Sequence, residues 1–193
     1  NGVELKHNFS ADSTGRPLLL NTTDATPDIA SIVGGDGITA TSTNNYVTLS
    51  ADALPYAQVH IQGNSTATTI GTAGTPVKAA GTFTVGIQSG FTGDTTGKIV
   101  YNGTQTRVVA VQVTATIKPA SANNQDLFIQ IAKNGTVEAG SKIVREVDTA
   151  QTANCSTFFN VSLAQNDYVE LYVGNATSTD NVVVTDAILG LVN

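Results

Sequence analysis

The chain has 193 residues, of which 40% are hydrophobic and 12% are charged. This length suits one domain of about 140 residues with an extension. Because charge is scarce, solubility must come from Thr, Ser, Asn and Gly. Thr favours pleated strands while Asn and Gly favour turns, so the composition predicts an all-β protein. The net charge of −6 and the scattered basic residues argue against nucleic-acid binding.

The sequence offers little in the way of covalent or membrane anchoring. Cys155 is the single cysteine, so an intrachain disulfide is impossible. No apolar run approaches the roughly 20 residues of a membrane span, and no signal peptide opens the sequence, so we expect no membrane insertion. The sequence begins at Asn1 rather than Met, which indicates either a cleaved precursor or a fragment.

Residues 1–28 have no sustained periodicity, and Pro17 and Pro27 exclude a regular helix across their positions. This segment is interpreted either as an extended arm ordered against another surface or as a flexible terminus. Apolar residues of the arm and of the segment that follows it are the candidate attachment residues: Leu18, Leu19, Leu20, Ile32, Val33 and Ile38.

The segment from Ile29 to Ala51 predicts a short β-hairpin. Two apolar stretches flank a polar turn at residues 42–45, and the glycines of residues 34–37 permit positive φ angles. The pattern resembles one repeat of a viral fibre shaft, although an ordinary hairpin packed on the following domain fits it as well. Residues 52–55 break the pattern, which predicts domains at residues 1–54 and 55–193.

From residue 56 onward, the chain predicts a β-sandwich. In the segment Arg107–Ile117 every second residue is apolar, a period of two that a half-buried strand requires and a helix cannot satisfy. About eight to ten such strands, separated by turns, are typical of a sandwich or jelly roll. The other main predicted strands are Tyr56–Gln62, Thr82–Ile87, Lys98–Tyr101, Asp126–Lys133, Gly140–Val147, Cys155–Leu163, Asp167–Gly174 and Asn181–Leu191.

The order of these segments resembles a known superfamily. The quoted stretches are Tyr101-Asn102-Gly103, Leu127 to Gly135, Phe159 to Leu163, Asn166 to Val173 and Ala187 to Leu191. Together they resemble the tumour-necrosis-factor-like and complement globular-head jelly rolls, a fold similar to trimeric heads on bacteriophage fibres, spikes and capsid decoration proteins. The resemblance covers about half of the chain. It implies a homotrimer with a surface binding role.

Three aromatic residues are the predicted trimer interface. Tyr168 and Tyr172 alternate with the apolar Val169, Leu171 and Val173, and Phe158 is out of phase with its apolar neighbours. Aromatic side chains that point outward from a sheet indicate an interface. The resemblance implies that such residues meet near the threefold axis, while packing beneath a loop of the same chain is the alternative.

Candidate catalytic and metal-binding residues are few. The histidines are His7 in the arm and His60 in the first strand of the sandwich, where it points to solvent or an interface. Neither has a nucleophile or carboxylate beside it at a suitable spacing, and no phosphate-binding or zinc motif is present, so we expect no enzyme activity and no cofactor. Asp167 with Glu170, and Asp180 with Asp186, could offer oxygens to calcium, but no calcium-binding loop is present and no metal site is predicted.

The sequence therefore predicts a non-enzymatic virion protein. It would be a trimeric capsid decoration or head-fibre protein on the virion surface, attached through residues 1–54 to a capsid or fibre-base protein. The loops Pro119–Gln125 and Asn175–Asp180 would be available for contact with a cell-surface glycan. The alternative is a secreted complement-like or carbohydrate-binding module, which would be extracellular.

Overall fold

The computed structural model describes residues 38–43 and 46–51 by their backbone, and residues 54–192 with their side chains. Contacts within the chain divide it into two compact units, Asn1–Ala53 and Leu54–Asn193. The candidate attachment residues Leu18, Leu19, Leu20, Ile32 and Val33 lie outside the described residues, as does His7. Ile38 is the first residue of β1, described by its backbone.

The described part of the first unit is a two-stranded antiparallel hairpin. Strand β1 spans Ile38–Thr43 and β2 spans Tyr46–Ala51, with Thr43 paired to Tyr46 at the turn. Two residues thus connect the strands, a length that closes a tight hairpin. The hairpin expected from the alternation of apolar and polar residues is confirmed.

The second unit is a sandwich of two antiparallel sheets, as the all-β jelly-roll prediction requires. The strands are β3 (Tyr56–Ile61), β4 (Ala67–Thr68), β5 (Val77–Lys78), β6 (Thr84–Ser89), β7 (Phe91–Gly93), β8 (Ile99–Tyr101), β9 (Arg107–Pro119), β10 (Gln125–Lys133), β11 (Thr136–Val137), β12 (Ile143–Val147), β13 (Ala153–Leu163), β14 (Tyr168–Asn175) and β15 (Val182–Val192). The front sheet has the order β13-β9-β15-β3-β6, and β4 also pairs with β15. The back sheet has the order β11-β10-β14-β8-β7, with β12 paired to β10 and β5 paired to β14.

The core lies between the two sheets and is built by the alternating residues. On β9, the predicted inward residues from Val109 to Ile117 are buried, and on β14 so are Val169, Leu171 and Val173. Leu127, Ile129 and Ile131 of β10 join them from the back sheet. Because each strand sends alternate side chains inward, local alternation specifies the core residues of β9 and β14.

The structure departs from the sequence prediction at two strands. The segment predicted as strand Gly140–Val147 begins with a single 3₁₀ turn, Ala139–Ser141, and becomes β12 only at Ile143. The buried Ser141 hydroxyl explains the difference, because it donates to the Glu138 carbonyl and accepts from the Ile131 N–H. In β15 the register shifts between Val184 and Asp186, so a β-bulge moves the inward positions from even to odd residue numbers.

Candidate subunit interface

The outward face of the front sheet, called here the front face, is the candidate site. Strands β3, β15, β9 and β13 lie side by side in antiparallel register, so their outward side chains form rows across the sheet. Read from β3 to β13, these rows are Tyr56, Val192, Ala110 and Asn160; Gln58, Gly190, Gln112 and Phe158; and His60, Ile188, Thr114 and Ser156, followed by a shorter row of Asp186, Thr116 and Asn154.

One end of the front face is apolar and exposed. Phe158 is 62% exposed, Val192 60% and Ile188 49%, and Tyr56 is also exposed. These side chains, with Ile87 of β6, line a shallow depression of about 610 Å³. Exposed apolar patches that are continuous over several strands mark interaction surfaces rather than ordinary solvent-facing surface.

Charge is displaced to the edges of the front face. Among residues 54–192, the strands of the front sheet carry charged side chains at Arg107 and Lys118, near the two ends of β9, and at Asp186. The centre holds apolar, amide and hydroxyl side chains instead. Depletion of charge at the centre, together with exposed aromatic and aliphatic groups, is typical of the fully buried core of a protein–protein interface.

The opposite end of the front face is polar. His60, Gln62, Thr116 and Asp186 line a second depression of about 360 Å³, with Ile188 between the two ends. The Asp186 carboxylate accepts the Gly63 N–H at 3.0 Å. His60 points away from the core, as the sequence predicts, but its Nδ1 atom is buried and has no hydrogen-bond partner within residues 54–192.

The predicted aromatic interface is divided between the two sheets. Phe158 lies on β13 of the front sheet, whereas Tyr168 and Tyr172 lie on β14 of the back sheet. The three residues therefore lie on two different sheets, because side-chain alternation gives the direction of each residue but not the sheet to which its strand belongs, and their place in a trimer interface stays a prediction. Tyr168 and Tyr172 are half-buried, and burial raises the pKa of Tyr172, with a further contribution from the Glu170 charge.

Sequence reasoning missed Tyr56, Ile188 and Val192 as front-face residues. The sequence did contain a signal for Ile188. Residues Ala187 to Leu189 are all apolar, whereas a strand with one face in water would alternate apolar and polar residues. Apolar residues at outward positions were therefore the better guide to this surface than aromatic residues alone.

Two acids considered as calcium ligands are already paired. The buried Glu170 carboxylate forms an ion pair with the Lys78 ammonium group at 2.6 Å. Asp167 bonds Lys133 at 2.9 Å, and hydrogen bonds from Lys133 and Asn134 and from the Ala164 N–H hold the pKa of Asp167 at about 2. Within the part of the chain described with side chains, no three His, Cys, Asp or Glu residues are grouped so as to hold a metal ion.

The two loops considered for glycan contact are bound to each other. The Asp180 carboxylate accepts the N–H groups of Ser121 and Ala122 at 3.1 and 3.0 Å. Burial alone would raise the pKa of Asp180, but these hydrogen bonds and that of the Ser121 hydroxyl outweigh it and lower the pKa. The Asn175 amide also donates to Gln125 at 2.9 Å, so the loops form one braced surface at the end of the sandwich.

The remaining candidates are structural. Cys155 is buried, and burial raises the pKa of its thiol, which disfavours the reactive thiolate. Among the described residues, no helix has the length and apolar character needed to span a membrane.

Comparisons with known proteins support the fold. No protein-family model and no curated protein sequence matches the chain. Among solved structures, the chain is similar to PRD1 vertex protein P5, with a TM-score of 0.51 and 15% identity over 96% of both chains. It is also similar to murine APRIL, with a TM-score of 0.48 and 9% identity over 73% of this chain and 99% of that one. A third similar structure is Eiger TNF from S. frugiperda, with a TM-score of 0.41 and 16% identity over 72% of this chain and 92% of that one.

The expected resemblance is thus confirmed at the level of the fold. The chain has a jelly-roll sandwich similar in fold to that of PRD1 vertex protein P5. Since a fold hosts many functions, the function has to be argued from the site.

Proposed function

We propose that the chain is a non-enzymatic structural protein of a virion surface, and that it acts as a homotrimer joined through the front face. The apolar, charge-poor front face is the observation that carries this proposal. Similarity to a vertex protein over 96% of both chains supports a virion role. Residues 1–54 would attach the trimer to a capsid or fibre-base protein, as a decoration or head-fibre protein.

The front face explains why a second copy is the expected occupant. A monomer would leave Phe158, Ile188 and Val192 exposed to water on one face, at a cost of about 25 cal/mol for each Å² of apolar surface. A closed ring of identical subunits covers the same surface on every copy. The absence of charge from the centre of the described face favours this packing, because no buried ion has to be neutralised.

Light scattering on the purified chain tests the proposal. We expect a mass of about 60 kDa, three times the chain mass of 19.8 kDa. Phe158→Asp should reduce the mass to that of one chain, because it would bury an unpaired carboxylate in the interface. Val144→Asp is the matched control: Val144 is 41% exposed on β12 of the back sheet, so the trimer should persist.

The attachment role has a separate test. Deleting residues 1–54 should abolish binding to the particle while the head remains folded and trimeric. Binding at full strength after the deletion would defeat this assignment. A monomeric full-length chain that binds carbohydrate on a glycan array would instead favour the secreted binding module.

A further inference from the structure

We infer that His60 makes association across the front face sensitive to pH, so that the subunits separate in mild acid. This inference rests on the proposed trimer and concerns the regulation of the same interface. Its starting point is the buried Nδ1 atom of His60, which is the one buried side-chain nitrogen or oxygen without a hydrogen-bond partner in residues 54–192.

His60 lies well inside the front face. It is paired with Thr84 on β6 and with Ile188 on β15, and Ile188 also lines the apolar depression. Its side chain is half-buried in the isolated subunit, and it lines the polar depression together with Gln58 and Gln62. A second copy seated on the front face would therefore cover the imidazole ring.

The surroundings of the ring accommodate its neutral form better than its cation. In neutral imidazole one nitrogen carries the proton, and Nε2 can hold it and donate to water while Nδ1 remains an unprotonated acceptor. In the imidazolium both nitrogens are protonated, so Nδ1–H would be a charged donor facing no acceptor. Burying a charged donor without a partner is far costlier than burying a neutral acceptor.

Assembly increases the free-energy preference for the neutral ring over the cation. When the front face closes, the cation would lose the hydration of Nε2 as well, whereas the neutral ring loses at most one hydrogen bond to water. The assembled trimer therefore binds fewer protons than three separated subunits. By linkage, the association is strongest at neutral pH and weakens as the pH falls into the mildly acidic range.

Two charged groups on neighbouring strands modify the effect. On the outward side of β15, Asp186 faces the same depression and attracts an imidazolium, while Lys118 at the end of β9 repels it. β6 and the turn after β3 present no charged side chain to this face. Asp186 is exposed and already accepts the Gly63 N–H, so water screens its attraction and it moderates the acid sensitivity without reversing it.

The test is the trimer dissociation constant of the full chain, measured by light scattering over a concentration series at about pH 8 and about pH 5.5. If the trimer excludes the proton, the dissociation constant should be higher at the lower pH, and it should scale with the third power of the effect on one subunit because each of the three excludes one proton. His60→Gln, which cannot titrate, should bind equally at both values. His7→Gln is the matched control and should retain the wild-type pH dependence.

The outcomes separate this inference from the proposed function. A monomer at pH 8 overturns the trimer itself. A trimer of equal affinity at both pH values overturns the role of His60 and leaves the trimer standing, as does a pH dependence that survives in His60→Gln. Circular dichroism at pH 5.5 must show a folded subunit. Should His60→Gln fail to fold, His60→Asn decides instead: it also cannot titrate, so its affinity should be equal at both pH values, and a surviving pH dependence refutes the inference.

Discussion

The carboxylate of Asp167 provides a direct test of how the head is held together. It joins the turn after β10 to the turn between β13 and β14 by accepting from the Asn134 amide at 2.6 Å, from the Ala164 N–H at 2.8 Å and from the Lys133 ammonium. Asn134 in turn accepts the Tyr168 N–H at 2.9 Å. Removing the charge with Asp167→Asn should therefore loosen both turns and lower the free energy of unfolding.

The size of this loss follows from the pKa of Asp167. Its fall from 3.8 to about 2 corresponds to at most about 2.5 kcal/mol of differential stabilisation. Since Asp167 lies at the surface, where water screens the interaction, we expect about 1 kcal/mol. A lowered carboxyl pKa stabilises the fold above the unfolded value, and this contribution is lost as the pH falls from about 4 towards 2.

Urea unfolding of the wild type and Asp167→Asn measures the effect. The variant should be less stable by about 1 kcal/mol at pH 7, and this difference should shrink as the pH falls from about 4 to about 2. Asp126→Asn is the control, because Asp126 is exposed on the neighbouring β10 and its carboxylate makes no hydrogen bond within the described head. A difference between Asp167→Asn and the wild type that stays constant from pH 7 down to pH 2 would refute the role of the charge.

Two further changes test the back sheet. Lys78→Met leaves the buried Glu170 carboxylate without its cation and should lower the free energy of unfolding by about 2–3 kcal/mol. Adding Glu170→Gln to this variant should recover part of the lost stability, and equal losses in the single and double variants would contradict the pairing. Gly174→Ala should cost about 1–3 kcal/mol because its Cβ would lie 2.2 Å from the buried Phe128 ring, whereas Gly71→Ala, with no atom within 4 Å, should be nearly neutral by thermal unfolding.

Much of the sandwich could be predicted from local sequence. The alternation in Arg107–Ile117 and Asp126–Lys133 predicted strands that the structure places at Arg107–Pro119 and Gln125–Lys133. The Asn134-Gly135 turn was also readable, and both residues adopt the positive φ angles of 50° and 77° that a tight hairpin needs. These features depend on neighbours along the chain, so a single sequence suffices to specify them.

The candidate interface could be predicted only in part, because it depends on pairing between distant strands. The sequence alone determined that Phe158 points away from the core and that His60 does too. Only the tertiary structure decided that β13 and β14 belong to different sheets, which separates Phe158 from Tyr168 and Tyr172 and places it on the same face as Ile188. Side-chain direction follows from the two-residue period of one strand, whereas the sheet that a strand joins is decided by hydrogen bonds to strands far away in the chain.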